Sequence, residues 1–273
     1  MSEPRLTRIA PTPSGFLHLG NAVNFALISL LADRWDAGIY LRIDDMDADR
    51  ARPEYVDDIF DVLAWIDIPS LAGASDRADF EANFTMTART DYYRSQLDLL
   101  NDHGLEVFAC ACSRVDLAAA GGLRCAGDCA TRGLELEKGS TALRLRIPEG
   151  TSVRMHDRTV DLAAEHGDVV LWRRDDLPAF HLVTVIEDRD LEVTDIVRGE
   201  DLVESSALHV WLARYLDAPT LVQARWWHHP LVTDESGAKL SKSQLDAGPM
   251  VLTEALRTQV FSRAESLAAA LGA

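Results

Sequence analysis

Two lysines stand three residues apart in a loop of small and polar residues, Lys239-Leu240-Ser241-Lys242-Ser243, preceded by Asp234-Glu235-Ser236-Gly237-Ala238. Such a pair can clamp a polyphosphate, and it helps most as pyrophosphate leaves, when charge on the leaving group is greatest. A second phosphate signal lies near the other end, at His18-Leu19-Gly20-Asn21. A Pro- and Gly-rich loop, Pro11-Thr12-Pro13-Ser14-Gly15, runs there into an apolar helical stretch. A helix N-terminus offers unpaired N–H groups and the positive end of its dipole to an anion. Gly20 lets a ligand approach the backbone, and His18 can donate to a phosphate oxygen as charge develops. Taken singly, each has a plainer reading: a turn with a histidine, and a solvated lysine loop. Taken together, they point to nucleotide chemistry.

All four cysteines, Cys110, Cys112, Cys125 and Cys129, fall within one short stretch. The N-terminus Met1-Ser2-Glu3-Pro4-Arg5 shows no signal-peptide apolar region, so clustered cysteines favour a metal over disulfides. Four thiolates suit one tetrahedral Zn²⁺ with no open position, a structural site and not a catalytic one. A site engaging three of them is the lesser variant.

These residues need elements to hold them. Leu6–Pro11 reads as a short strand, Asn21–Trp35 as a buried helix closed by Gly38, and Ile39–Ile43 as a second strand running into Asp44-Asp45-Met46-Asp47. Strand, loop, helix, strand is the opening of a parallel α/β sheet. Pro53 sits near the first position of a helix running to about Trp65. Arg89–His103 reads as helix, stopped by Gly104. Thr141–Val197 is β-like, with alternation in Leu143-Arg144-Leu145-Arg146-Ile147. Ser205–Leu216 returns to helix, Val232–Ser243 is a polar loop, and Val251–Leu271 is an Ala-rich closing helix. No internal repeat or low-complexity linker interrupts the chain.

The 273 residues suffice for one large or two modest domains with a real core. Apolar content of 47% and charged content of 26% are ordinary for a soluble globular protein. No apolar run approaches the roughly 20 residues of a membrane span, so the reading is cytoplasmic and without a membrane partner. The net charge of −17 argues against tight, purely electrostatic nucleic-acid binding. A local basic face can still bind RNA.

The paired motifs resemble the HIGH and KMSKS signatures of class I aminoacyl-tRNA synthetases, here His18-Leu19-Gly20-Asn21 and Lys239-Leu240-Ser241-Lys242-Ser243. The wider match is to the glutamyl branch. It is carried by Arg8-Ile9-Ala10-Pro11-Thr12-Pro13-Ser14-Gly15, Leu41-Arg42-Ile43-Asp44-Asp45-Met46-Asp47, Val197-Arg198-Gly199-Glu200-Asp201-Leu202 and His228-His229-Pro230-Leu231-Val232. The short stretch after Ser243 resembles the truncated paralogue family, the glutamyl-Q tRNA(Asp) synthetases, which lack a large anticodon-binding region. The cysteines resemble that branch's CxC and YxGxC pattern, with Cys125 where Tyr often stands.

The resemblance implies a class I Rossmann-like parallel sheet with an inserted zinc-binding, acceptor-type subdomain. It implies four segments: 1–105 and 196–246 as the two halves of the catalytic domain, 106–195 as the insertion, and 247–273 as a short helical end with no anticodon-binding domain. It implies ATP with Mg²⁺ and L-glutamate as substrates, one structural zinc per chain, and tRNA(Asp), through its anticodon stem-loop, as partner of a monomer. Glutamate is activated without tRNA and passed to queuosine. His18, Lys239 and Lys242 become the catalytic set, and Gly20, Asn21 and Ser241 join them around ATP. Arg8 and Arg198 match carboxylate-binding arginines, whose guanidinium forks suit an acid. Asp44 matches a Glu that holds the substrate ammonium, and Ala10, Thr12 and Phe180 complete the amino-acid pocket. Asp44 is one methylene shorter than that Glu, and Phe180 lacks the hydroxyl of the family's Tyr, so both bear on specificity. His181, beside Phe180, can replace that hydroxyl or be a packed neighbour. Two rivals remain: a ligase passing the same acyl group to a small amine or carrier protein, and a non-catalytic binding protein.

Overall fold

The computed structural model of the chain describes residues 4–47, 50–68, 71–119, 121–125, 127–232 and 248–272. The lysine loop, with Lys239, Ser241 and Lys242, lies outside them. In chain order the elements begin β1 (Arg5–Ile9), α1 (Leu19–Trp35), β2 (Ala37–Leu41), α2 (Pro53–Ile66), β3 (Leu71–Gly73), α3 (Arg77–Asn83), α4 (Thr90–Ser95) and α5 (Leu97–Asp102). They continue with β4 (Val107–Cys110), α6 (Arg114–Ala119), β5 (Ala142–Arg146), β6 (Ser152–Met155), β7 (Arg158–Asp161), α7 (Leu162–His166), β8 (Asp168–Trp172) and α8 (Phe180–Asp190). The remainder are β9 (Asp195–Gly199), α9 (Val203–Ala213), α10 (Pro219–Val222), β10 (Arg225–His229) and α11 (Glu254–Ala270).

The chain divides into two compact units. The first comprises Met1–Ala88, Val193–Leu202 and Ala224–Ala273. Its strands form two parallel ladders, β1-β2-β3 and β10-β9. Thr194 N–H donates to the Leu6 carbonyl at 2.9 Å, and Leu6 N–H donates to Thr194 Oγ1 at 2.9 Å, which sets β9 beside β1. Helix α1 is apolar on nearly all sides, as a helix covered on more than one face must be. Phe25, Leu27, Ile28 and Leu31 are buried in the core that it shares with Ile39, Ile59 and Val62. Helix α11 adds Val260, Ala264 and Ala268 at four-residue spacing, one stripe of small and β-branched residues against α1.

At the start of β9, the fully buried Asp195 accepts from Arg5, from Thr194 Oγ1 at 2.8 Å and from Arg225 Nη2 at 3.0 Å. Burial alone would raise its pKa, but these bonds and the two arginine charges hold it below the ordinary carboxylate value.

The second unit comprises Arg89–Glu192 and Val203–Gln223. It carries an antiparallel sheet β4-β5-β8, a β6-β7 hairpin and α8 packed with α9.

Three local expectations are corrected. Helix α1 is closed by Asp36, which takes the left-handed conformation at φ 53°, while Gly38 lies inside β2. Asp tolerates that conformation, and Gly38 is wanted for room, since a Cβ there would meet Leu6 Cδ1 at 3.2 Å. The stretch 89–103 is two short helices meeting at Gln96. The β-like stretch 141–197 contains an 11-residue helix, α8. Its Val183, Thr184, Val185 and Ile186 suggest strand by type, but burial of that whole run suits a helix packed on several sides.

Candidate active site and metal centre

His18 is the N-cap of α1. Its Nδ1 accepts from Gly20 N–H at 3.1 Å, and Asn21 Oδ1 accepts from His18 N–H at 3.0 Å. This is a capping box with histidine in the Ser/Thr place. Burial pushes the imidazole below its ordinary pKa, so the ring is neutral at pH 7. With Nδ1 an acceptor, the proton sits on Nε2, which is left as a donor. Gly20 makes this possible: a Cβ there would lie 3.0 Å from His18 Cε1 and push the ring off its cap. Asn21 thus has a clear local task, holding the first turn.

Two residues that the sequence did not single out brace this helix end. The buried Asp58 on α2 accepts from Leu17 N–H at 2.7 Å, just before His18. Asn24, one turn into α1, contacts His229 Nε2 at 3.1 Å, and His229 Nδ1 lies 2.8 Å from the Pro230 carbonyl. Burial lowers the His229 pKa. The Asn24 atom placed there is Oδ1; a neutral ring that donates from Nδ1 to Pro230 accepts at Nε2, which calls for the two amide ends to be exchanged so that the NH₂ faces it. Nothing in residue type marks Asp58 or Asn24. His229 belongs to the motif His228-His229-Pro230-Leu231-Val232, which by itself assigns it no role.

Arg8 and Arg198 are each the penultimate residue of a strand, β1 and β9, and both are buried. The carboxyl ends of parallel strands are where open α/β sheets bind ligands. Arg198 also lies over the Trp226 ring, 5.2 Å from its centroid. Beyond β2 the chain continues alongside the loop after β1, with Arg42 N–H donating to the Ile9 carbonyl at 2.9 Å and Asp44 N–H to Pro11 at 2.8 Å. This brings Asp44 against the segment holding Ala10 and Thr12. Ala10 is half-buried and Thr12 exposed. Asp44 is held by Arg42 through Nε–Oδ1 at 2.7 Å and Nη2–Oδ2 at 3.1 Å, a two-pronged pair on a buried guanidinium. Arg42, which residue type alone does not single out, thus orients Asp44, and its i, i+2 spacing along an extended chain is the available signal.

Phe180 belongs to the second unit. It opens α8 and is 47% exposed. Its ring packs on His181 and His209, with centroids 5.2 and 5.5 Å away. His181 Nδ1 and the buried His209 Nε2 are 3.0 Å apart. His181 is thus engaged as a packed, hydrogen-bonded neighbour.

The cysteines converge in the second unit. Cys110 ends β4, and Cys129 opens a short 3-10 turn. Sγ–Sγ distances are 3.7 Å for Cys110–Cys125, 3.6 Å for Cys112–Cys125 and 3.7 Å for Cys112–Cys129, with all four sulfurs within 4.8 Å of one another. A tetrahedron of sulfurs bound at about 2.3 Å has edges of about 3.8 Å. The spacing matches that and is far too long for a disulfide of about 2.05 Å. Phe108, Ala130 and Leu134 pack around the group. Burial pushes the Cys110 thiol up to about 12, so a bound cation is what would keep it deprotonated.

The family model for the catalytic domain of class I tRNA synthetases (E and Q) matches residues 6–114 and 125–264. Most of the elements and all of the candidate site residues fall inside that match, most of α6 and the end of α11 lying outside it, so the fold is a class I synthetase catalytic fold and the class is a ligase. A glutamyl-Q tRNA(Asp) synthetase of Methylococcus capsulatus is 36% identical over 91% of this chain and 79% of its own length. Those of Burkholderia mallei and Pseudomonas syringae pv. tomato are 37% and 38% identical over 86% and 89% of this chain, and again 79% of theirs. The chain belongs to the glutamyl-Q tRNA(Asp) synthetase family. Among solved structures, a glutamate-tRNA synthetase from Elizabethkingia anophelis superposes with a TM-score of 0.68 at 21% identity, over 90% of this chain and 54% of that one. The chain thus spans about half the length of that structure, and the likeness is one of fold.

Proposed function

We propose that this chain activates L-glutamate with ATP, without tRNA, and transfers the glutamyl group to queuosine of tRNA(Asp). The observation that carries the first step is the cap geometry of His18. A neutral imidazole, locked through Nδ1, presents an Nε2–H donor at a helix N-terminus, where the positive end of the helix dipole favours a phosphate. The glutamate α-carboxylate attacks the α-phosphate of ATP in line, giving glutamyl-adenylate and pyrophosphate. Mg²⁺ arrives with ATP and neutralises phosphate charge. Gly20 and Asn21 keep the helix end open to the phosphates, and Lys239, Ser241 and Lys242 hold the pyrophosphate as it departs. Arg8 and Arg198 take the substrate side-chain carboxylate, Asp44 its ammonium, and Ala10 and Thr12 line the rest. Cys110, Cys112, Cys125 and Cys129 hold one structural Zn²⁺ in a closed site.

Pyrophosphate exchange across a panel of amino acids tests activation and substrate together. Glutamate alone should support it, and exchange with aspartate in its place would overturn the substrate. Lys242→Ala should cut exchange strongly with little change in fold, and near-normal exchange would remove Lys242 from the chemistry. The net charge of −17 favours a second reading, a non-tRNA acceptor. A filter assay with labelled glutamate decides: label on queuosine-containing but not queuosine-free tRNA(Asp) supports the proposal, and no label on either supports the rival.

A further inference from the structure

The loop that carries Cys125 is gripped from one side by a single buried residue, Asp168, at the start of β8. Its carboxylate Oδ2 accepts from Cys125 N–H at 2.7 Å, and its own N–H donates to the Leu123 carbonyl at 2.9 Å. The two bonds bracket Arg124 as a strand neighbour would, with a side-chain carboxylate standing in for one backbone carbonyl. Asp168 is in turn fixed by two arginines of β5. Arg146 Nε donates to Oδ1 at 3.2 Å, and Arg144 Nη1 donates to the Asp168 carbonyl at 2.7 Å. The side chain of Asp168 is fully buried. The neighbouring Gly167, at φ +58°, leaves room for the loop, because a Cβ there would stand 2.6 Å from the Leu123 carbonyl oxygen.

We infer that Asp168 is the positioning residue of the metal centre: it pre-forms the Cys125 corner of the four-sulfur cluster, so that the fourth thiolate is in place before a metal arrives. The other three cysteines have other supports. Cys110 is set by the β4–β5 ladder, Cys112 by an Arg174 hydrogen bond to its carbonyl, and Cys129 by its own turn. Cys125 itself belongs to neither helix nor strand. An unanchored corner loses chain entropy when the metal binds, and that cost weakens affinity. Removing an outer partner of a ligand typically weakens a metal site 10- to 100-fold.

The inference rests on the zinc reading above, and the experiment separates the two. Full-length wild type, Asp168→Asn, Asp168→Ala, Gly167→Ala and Cys125→Ser are compared by zinc competition against a chromophoric chelator. The thiolate-to-metal charge-transfer band of the Co²⁺-substituted proteins is read alongside. Asp168→Ala should bind zinc about 10- to 100-fold more weakly and show the three-thiolate band of Cys125→Ser. Asp168→Asn, which keeps an acceptor for Cys125 N–H but loses the charge facing Arg146, should fall between Ala and wild type. Gly167→Ala should weaken binding with the carboxylate intact. If wild type takes up neither metal, the zinc reading fails. If wild type shows four thiolates and Asp168→Ala keeps both that band and wild-type affinity, the positioning role fails alone. Should Asp168→Ala not fold, the Asn and Gly167 variants decide by the same two readouts.

Discussion

The two ring nitrogens of His18 serve different ends, and they can be separated. Nδ1 caps α1, while Nε2–H faces away as a donor. An asparagine keeps a capping acceptor but does not extend as far. His18→Asn should therefore lower the rate of pyrophosphate exchange by about 10²–10³-fold, the usual cost of losing a donor to developing charge, with little change in Tm. An Asn variant with normal exchange would leave His18 as a cap only. Asp44 offers a second test at this scale. Its carboxylate is oriented by Arg42 through two short bonds, and charge-assisted bonds are worth about 1.5–3 kcal/mol. Arg42→Ala should raise the KM for glutamate by roughly ten-fold or more while kcat moves less. An unchanged KM would mean that Asp44 is not the ammonium partner, or needs no orienting. The motif marks Asp44 as a candidate, and i, i+2 spacing hints at Arg42, but the pairing itself depends on how the chain runs after β2.

Among the elements, α1 was the most legible, as a long apolar stretch after a Pro/Gly loop. The hidden part was how its N-terminus is pinned, by Asp58 from α2 and by His229 from β10, residues distant in sequence. Gly20 belongs to this scale. Gly20→Ala places a methyl 3.0 Å from the His18 ring. The helix should form as before, since alanine favours helix, while exchange falls because His18 is displaced. Circular dichroism unchanged together with reduced exchange is the expected pair, and full activity would show that the cap geometry is dispensable. The helix α8 marks the opposite case. Its β-branched run suggested strand, and only its packing against α9 chose helix, because residue type is a weak prior against burial.

For the molecule as a whole, the buried ionisable groups set how stability responds to pH. The pKa values of His18 and His229 are lowered by burial from an ordinary 6.5. Below pH 6.5 the unfolded chain takes up protons that the folded chain refuses, so stability falls as pH drops from there toward the folded values. Above 6.5 the slope fades, and about one pH unit higher neither group contributes appreciably. Asp195 works in the other window. Its lowered pKa contributes stability above the ordinary 3.8 that is lost as pH falls through the folded value. Urea midpoints between pH 7.5 and roughly 5 should decline. His229→Gln, which keeps an amide to face Asn24, should flatten that decline. An equal slope in the variant would place the titration elsewhere.

Residue types and order, by themselves, determined the family motifs, the parallel α/β opening, the apolar α1, the clustering of four cysteines and the acidity of the chain. These are properties of local pattern, and local pattern is written along the chain. Only the tertiary structure decided which sulfurs approach within tetrahedral reach, which arginine orients Asp44 and which nitrogen of His18 stays a donor. It also decided that Asp36, not Gly38, ends the first helix, and that Asp168 holds the Cys125 corner. Each of these joins groups that folding alone brings together, or turns on the space between backbones. Hydrogen bonds and sterics act over a few ångströms in space, whatever the separation in sequence.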